Sequence, residues 1–272
     1  MNILSATKFH GFIEKGGSTI PWKVTLRNFK GEENAYIVKV FKKSVNNQQF
    51  ATAKEFYGNI LAKEFDLLVP ECAFADFTQS FIKISLGKNE RRFLQSKDQN
   101  LKFASRYIEG APVFSNLLHR NVLKEYDFAQ VYAFDFLCAN LDRGGFRNKP
   151  NLLIDDDDII LIDHEQTFPF IDSQSGFEKF MEDFKNETTY YQYQKHIFYP
   201  YLLALRTKAK RNLFDGFFEY LKNFNVNPLI SSAKQMESLG INTGNWKNLV
   251  NYLSEIKDNR QKFCKLLLKS IA

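Results

Sequence analysis

The sequence contains few cysteines and no long apolar run. Its three cysteines, Cys72, Cys138 and Cys264, are odd in number, far apart and set in apolar surroundings. This predicts reduced, buried packing residues rather than a disulfide framework or a metal site. No window approaches the roughly 18 apolar residues of a membrane-spanning helix, and the N-terminus lacks the apolar core of a signal peptide. Neither membrane insertion nor secretion is therefore indicated, and a cytoplasmic location is the default expectation.

The chain also lacks internal repeats, low-complexity linkers and basic runs typical of nucleic-acid binding. A net charge of +6 and a pI near 9.0 are compatible with anionic ligands. Without a recognisable motif, we expect no direct binding to nucleic acid. With 272 residues, 44% of them hydrophobic and 25% charged, the chain has the composition of a soluble globular protein with one large domain or two closely joined lobes.

The stretch from Phe134 to Phe168 is the most informative part of the sequence. Two short apolar runs, Asn151–Ile154 and Ile159–Ile162, are joined by the acidic tract Asp155–Asp158. Two apolar runs separated by turn-forming residues predict a β-hairpin. The hairpin would bring its first residue and the aspartate that follows it, Asp163, to the same end.

These positions carry the residue types of a phosphotransferase site. Hard oxygen ligands from Asn151 and Asp163 suit a magnesium ion that carries a nucleotide phosphate. Asp142, on a loop just before the hairpin, would then accept the proton of an attacking hydroxyl. Asp and Asn are also ordinary turn residues, so any one of them alone predicts little. Their order around the predicted hairpin favours a catalytic site over a purely structural loop.

A glycine-rich turn lies between two predicted N-terminal strands, residues 7–13 and 20–26. Its residues Gly16, Gly17 and Ser18 would fold over phosphates with their backbone N–H groups, or form a simple tight turn. A weaker hypothesis is that Ser18 or Thr19 is autophosphorylated, which would repel the nucleotide.

Lys39 lies inside the apolar strand AYIVKVF, residues 35–41. Because an unpaired buried ammonium is costly, its side chain either snorkels from an edge strand or pairs with a phosphate and a carboxylate. The helical period of Gln49–Phe65 places Glu55 on the flank of an apolar stripe, and we expect it to be that carboxylate.

The rest of the chain completes an α+β pattern. The spacing predicts strands at 72–77, 81–86 and 103–108, with a surface loop at 87–100. Glu109 to Pro112 would break the last strand and form a hinge, where an adenine ring would contact the backbone near Tyr107, Ile108 and Glu109. Beyond this point the pattern is mainly helical, with segments at 122–140, 176–186, 190–206, 209–224 and 245–272.

The expected architecture is therefore α+β, with two lobes. Residues 1–109 would form a strand-rich N-terminal lobe with one helix and a nucleotide-binding sheet. Residues 110–272 would form a helical C-terminal lobe that carries the catalytic loop and the metal-binding hairpin.

The order of these features resembles the HipA-like kinase family, which is related in fold to protein kinases and phosphatidylinositol kinases. The resemblance covers Lys8 to Phe170 and is most specific in AKEFYGNILAKEFDLLVPE, FDFLCANLDR and NKPNLLIDDDDIILIDHEQTF. The resemblance implies a bilobal, protein-kinase-like fold with ATP between the lobes. In it, Lys39 would bind the α- and β-phosphates and pair with Glu55. Asp142 would be the catalytic base, and the magnesium ligands would be Asn151 and Asp163.

Two features depart from the protein kinase pattern. The turn Gly16-Gly17-Ser18-Thr19 is not a G-x-G-x-x-G loop, and Asp163 is followed by His-Glu, as in HipA-like and lipid kinases, rather than by Phe-Gly.

Four interpretations follow from these observations. The first is an ATP- and magnesium-dependent kinase that phosphorylates a hydroxyl, more readily a protein Ser or Thr than a small molecule. The second is a small-molecule kinase of the aminoglycoside or choline type, and the third is a nucleotide-binding pseudokinase scaffold. A kinase within a toxin–antitoxin pair, with an antitoxin-like partner, is compatible with the first.

Overall fold

The structure is a computed structural model, and it describes residues 1–13, 20–115, 126–144, 149–155, 158–188 and 192–272. It divides into two compact units. The first comprises Met1–Phe56, Pro70–Gly110 and Ser231–Gly244, and the second comprises Tyr57–Val69, Ala111–Ile230 and Asn245–Ala272. The sequence-based division into lobes at residues 1–109 and 110–272 stays a prediction.

The first unit is built on a closed barrel whose strands are ordered β1-β2-β3-β5-β4. Neighbouring strands pair antiparallel except β1 with β4, which are parallel. The strands are β1 (Ile3–Phe12), β2 (Trp22–Arg27), β3 (Glu33–Lys39), β4 (Cys72–Asp76) and β5 (Lys102–Arg106).

Alternating apolar residues fill the barrel. Inward-facing side chains of β2, Trp22, Val24 and Leu26, are buried, whereas the residues between them are half-buried. Trp22 packs against aromatic rings from β1 and from the end of β4, with ring centroids 4.8 Å from Phe9 and 5.5 Å from Phe77. The period-2 pattern of the sequence therefore produces the core of this unit.

Four helices begin in this part of the chain. They are α1 (Lys43–Gln49), α2 (Ala51–Glu64), α3 (Gln79–Ser85) and α4 (Lys88–Gln95). The division between the units passes through α2, between Phe56 and Tyr57.

Two predictions in this region are wrong. The predicted strand 81–86 is helical, because Thr78 caps the first turn of α3 by accepting a hydrogen bond from the N–H of Phe81, 3.2 Å away. The predicted loop 87–100 contains α4, in which Leu94 is buried and Phe93 packs against the barrel core.

The described part of the second unit is mainly helical, with one two-stranded hairpin. Helix α5 (Phe128–Cys138) precedes the hairpin, which consists of β6 (Leu152–Asp155) and β7 (Asp158–Leu161). The α-helices after the hairpin are Gln174–Lys185, Tyr199–Leu203, Thr207–Lys210, Asp215–Asn223, Asn227–Ser238, Trp246–Asp258 and Arg260–Ser270.

Three segments predicted to be helical, 190–206, 209–224 and 245–272, are interrupted in the structure. Within 190–206, the described residues contain only a 3-10 turn, Tyr193–Lys195, and one short helix. The predicted helix 209–224 is divided into two. The C-terminal helix ends at Asp258 and restarts at Arg260, with Asn259 between the two in a non-helical conformation.

The expected fold class is confirmed: the chain has a strand-rich N-terminal part and a helical C-terminal part. All three cysteines are free. The prediction that they are buried is correct for Cys138 and wrong for Cys72 and Cys264, which are half-buried. Within the described residues, no helix combines the length and apolar character that crossing a membrane requires.

Candidate functional site

Lys39 and Glu55 form a buried ion pair in the first unit. Lys39 is the last residue of β3, and Glu55 lies in the first half of α2. The ammonium group of Lys39 donates to Oε1 of Glu55, and both side chains are buried. The expected pairing is therefore present, whereas the binding of phosphates by Lys39 stays a prediction.

In the second unit, Asn140 connects α5 to the loop that carries Asp142. The helix ends where Ala139 adopts a left-handed conformation, φ 49°, and the N–H of Asn140 turns back to the carbonyl of Asp135, 3.0 Å away. The Asn140 amide donates to the carboxylate of Asp135 at 2.8 Å and accepts from the N–H of Asp142 at 3.1 Å. The backbone of Asp142 is thus fixed to the helix end.

A buried triad of Asp135, Arg143 and His196 lies beneath this loop. Nε of Arg143 donates to Oδ2 of Asp135 at 2.7 Å, and Nε2 of His196 lies 3.0 Å from the same oxygen. Burial raises the pKa of Asp135, but the Arg143 guanidinium and the His196 hydrogen bond outweigh it and hold the pKa well below its usual range. The carboxylate is therefore charged at neutral pH.

The hydrogen bonds of His196 define its protonation. Its Nδ1 accepts from the N–H of Phe198 at 3.1 Å, so this nitrogen carries no proton and Nε2 donates to Asp135. Burial lowers the pKa of His196, and the nearby Asp135 only partly opposes this effect. His196 is therefore a neutral donor that orients the Asp135 carboxylate.

Arg143 also connects the loop to the hairpin. Its Nη1 donates to the carbonyl oxygens of Asn151 and Ile162, the latter at 3.1 Å. The N–H of Ile162 donates to the same Asn151 carbonyl at 3.1 Å. One guanidinium thus holds both ends of the hairpin, next to Asn151 on one side and to Asp163 on the other.

The predicted hairpin is present, formed by Leu152–Asp155 and Asp158–Leu161. Leu152 pairs with Leu161, and Asp155 pairs with Asp158 at the turn. Neighbouring segments pair with both edges, since the N–H of Phe114 donates to Leu152 at 2.9 Å and the N–H of Leu161 donates to Leu68 at 2.8 Å. The hairpin is therefore a supported element. The middle of the acidic tract, residues 156–157, lies outside the described residues.

Asp142 and Asn151 are in direct contact. Nδ2 of Asn151 donates to Oδ2 of Asp142 at 3.1 Å and to its backbone carbonyl at 3.3 Å. Asn151 is 9% exposed, and Asp142 is half-buried. The sequence predicts that these two residues belong to one site, and the structure places them together.

Asn151 and Asp163 share an uncommon backbone conformation. Their φ angles are 50° and 62°, in the left-handed region that Asn and Asp adopt more readily than most residues. Both lie where the hairpin begins and ends. Such conformations concentrate at functional sites, where surrounding structure maintains them.

The donor set at this end of the hairpin fits a hard cation. Since the amide nitrogen of Asn151 is engaged by Asp142, the remaining side-chain atom of Asn151 is an oxygen acceptor. Asp163 supplies a half-buried carboxylate. An amide oxygen and a carboxylate are the ligands that Mg²⁺ prefers, with water and phosphate completing its coordination.

A family model described as HipA-like kinase matches residues 15–209, more than half of the chain. The chain belongs to the HipA-like kinase family. Membership supports a phosphotransferase, in agreement with the resemblance seen in the sequence motifs. A search of curated proteins gives no match. Among solved structures, the proinflammatory kinase CtkA of Helicobacter pylori is 13% identical, with a TM-score of 0.49 and 97% of each chain covered.

For the other residues predicted to bind nucleotide in this HipA-like kinase, the structure gives local contacts or exposure, or does not describe them. After β5, the N–H of Tyr107 donates to the carbonyl of Ala35 at 2.9 Å, and Nζ of Lys23 lies 3.6 Å from the Tyr107 ring centroid. Ile108 is half-buried and Glu109 is exposed. Gly16, Gly17, Ser18 and Thr19 lie outside the described residues, so their proposed roles stay predictions.

Sequence reasoning missed the buried triad beneath the loop. Asp135 is the only charged residue of the apolar helix FAQVYAFDFLC, and this isolation was a usable signal. His196 lies 61 residues further on, in a segment without a motif. Its contact with Asp135 depends on tertiary folding alone.

Gly58 was also missed as a residue that supports the hairpin. A Cβ atom at this position would lie 2.4 Å from Cβ of His164, the residue after Asp163. The helix backbone therefore approaches His164 more closely than any other residue type allows.

Proposed function

We propose that this chain is an ATP- and magnesium-dependent kinase that transfers the γ-phosphate to a hydroxyl group of a protein Ser or Thr. The observation that carries the proposal is the contact between Asp142 and Asn151, held by Arg143 at the base of the hairpin. It brings a carboxylate and a side-chain amide from separate segments into direct contact.

In this proposal Asp142 is the general base. Its carboxylate is half-buried, and the hydrogen bond from Asn151 orients it. The carboxylate would accept the proton of the attacking hydroxyl. Because little covalent chemistry is required of a kinase, the fixed orientation of this group is its main contribution.

Asn151 and Asp163 would hold the metal. A bound magnesium ion supplies charge neutralisation for the transferring phosphate. The protein's part is to hold two oxygen donors in place, which it does through the left-handed backbone at both residues and the hydrogen bonds of Arg143 beside them.

Lys39 would bind the α- and β-phosphates of ATP. Glu55 satisfies the ammonium group at its buried position and orients it. The turn at Gly16, Gly17 and Ser18, and the hinge backbone at residues 107–109, complete the proposed nucleotide contacts.

Transfer from γ-labelled ATP to a panel of acceptors tests this function. The panel contains a protein mixture, simple alcohols and aminoglycosides, so that it separates a protein kinase from a small-molecule kinase. We expect labelled Ser or Thr in protein, dependence on magnesium, and a loss of roughly 10²- to 10⁴-fold in Asp142→Ala.

Asp155→Ala is the matched control, because this aspartate is exposed at the turn of the same hairpin. It should retain wild-type activity. Substantial activity in Asp142→Ala would remove Asp142 from the role of base. Transfer only to small alcohols or aminoglycosides would replace the proposed acceptor class.

A further inference from the structure

A buried polar network lies at the start of α2, in the first unit. Oδ1 of Asn46 accepts from the N–H of Thr52 at 3.2 Å and from its hydroxyl at 3.0 Å, while Nδ2 of Asn46 donates to Oδ2 of Asp98. The three residues are 8%, 2% and 6% exposed, in that order. A network of this kind is stable only when its polar groups are satisfied together.

The side chain of Asn46 caps the N-terminus of α2 although Asn46 lies in a different helix, α1. The first N–H groups of a helix have no partner within it, and at Thr52 the partner is the side chain of Asn46 in α1. The two helices meet at Phe50, whose φ is 51°. Gly244 packs against this joint, since a Cβ there would lie 2.7 Å from the Phe50 ring.

Asp98 extends the same network to the end of β3. Its N–H donates to the carbonyl of Phe41 at 2.9 Å, and its Oδ1 accepts from the N–H of Asn100 at 3.1 Å. Phe41 lies two residues after Lys39. On the other side of the network, Thr52 lies about one helical turn before Glu55.

We propose that Asn46 and Asp98 are positioning residues that set the distance between Glu55 and Lys39. The network joins the strand end that carries the lysine to the helix turn that carries the glutamate. This inference rests on the proposed kinase function, in which the ion pair orients Lys39 toward the nucleotide. Neither residue is among the proposed nucleotide contacts.

A charge exchange tests this role. Asn46→Asp keeps an acceptor for Thr52 but places a carboxylate against Asp98, so we expect repulsion and a shift of α2. Adding Asp98→Asn restores a donor and acceptor pair of the same shape, because the new amide donates to the new carboxylate and still accepts from Asn100.

The readouts are kcat and the KM for ATP, measured at a temperature at which circular dichroism shows every variant to be folded. We expect Asn46→Asp to lower kcat/KM by about tenfold or more and the double variant to recover most of the loss. If Asn46→Asp does not fold, Thr52→Val removes only the hydroxyl bond and should give a smaller loss of the same kind.

Two controls separate positioning from general stability. Val24→Ala destabilises the barrel core away from α2 and should lower the melting temperature without changing kcat. In a Glu55→Gln background, Asn46→Asp should cause little further loss, because the network acts through Glu55.

The outcomes distinguish this inference from the proposed function. A wild type without phosphotransfer or ATP binding would overturn both. If the wild type is active, any of three results would overturn the positioning role alone. These are unchanged activity in Asn46→Asp, no recovery of activity in the Asn46→Asp/Asp98→Asn double variant, or an undiminished effect of Asn46→Asp in the Glu55→Gln background.

Discussion

Replacement of Asp135 by asparagine is the most direct test of the buried triad. The substitution preserves shape and removes only the negative charge. In the wild type the carboxylate accepts hydrogen bonds from Arg143, His196 and Asn140, all three of them buried. After the substitution, Arg143 would be a buried cation without its anion, and the new NH₂ group would face donors.

The expected cost is large. Removal of one partner from a buried ion pair destabilises a protein by about 3–5 kcal/mol, because the remaining charge is uncompensated. Arg143 is 1% exposed, so solvent cannot replace the lost carboxylate. Since folded proteins are stable by roughly 5–15 kcal/mol, this loss is a large share of the total. The corresponding fall in melting temperature is on the order of 10 °C.

Urea denaturation at pH 7, followed by circular dichroism, measures the effect. Asp155→Asn is the control: Asp155 is exposed and pairs with Asp158 across the hairpin, so its replacement relieves a like-charge pair and should change stability by less than about 0.5 kcal/mol. A loss below about 1 kcal/mol in Asp135→Asn would refute the view that this triad supports the loop.

The pH dependence gives a second check on the same substitution. Because the folded pKa of Asp135 is depressed, its stabilising contribution is present above the unfolded value of about 4 and is lost as the pH falls through the folded value. The difference between wild type and Asp135→Asn should therefore shrink in strong acid. A difference that grows with acidity would contradict the assigned charge state.

Three further predictions concern the second unit. The folded pKa of His196 is lowered, so the contribution of the neutral imidazole to stability is present above about pH 6.5 and is lost as the pH falls below that value. His196→Asn should therefore reduce the fall in melting temperature between about pH 7 and pH 5. An unchanged fall would count against a neutral buried imidazole. A Gly→Ala substitution within a helix normally stabilises it by about 1 kcal/mol. At Gly58 the contact with His164 should instead make the substitution destabilising by roughly 1–3 kcal/mol in urea titrations. A gain in stability would show that no clash occurs. Gly144→Ala combines φ +85° with a Cβ that would lie 2.8 Å from the backbone nitrogen of Ile197, so it should reduce phosphotransfer and melting temperature together; wild-type values for both would disprove the tight packing.

Much of the candidate site could be predicted from local sequence signals. The hairpin follows from two apolar runs around an acidic turn, and it brings Asn151, just before its first strand, and Asp163, just after its second, to the same end. The partner of Lys39 was predictable because a lysine in an apolar strand requires a carboxylate, and the next helix offers one.

The remaining features depend on contacts between distant residues. The bond between Asp135 and His196 spans 61 residues, and the bond between Asn46 and Asp98 spans 52. Neither has a periodic or motif signal. Helix α4 was missed because its charged residues resemble a polar loop, and only packing of Phe93 and Leu94 against the barrel shows its buried side.

Calorimetric titration of ATP, with and without magnesium, tests the central claim most directly. The wild type is compared with Asp163→Ala and with Asp158→Ala, an exposed control at the opposite end of the same hairpin. We predict magnesium-dependent binding in the wild type, weaker binding in Asp163→Ala and unchanged binding in Asp158→Ala. Absence of binding in the wild type, or equal affinity in Asp163→Ala, would contradict a nucleotide and metal site built on this hairpin.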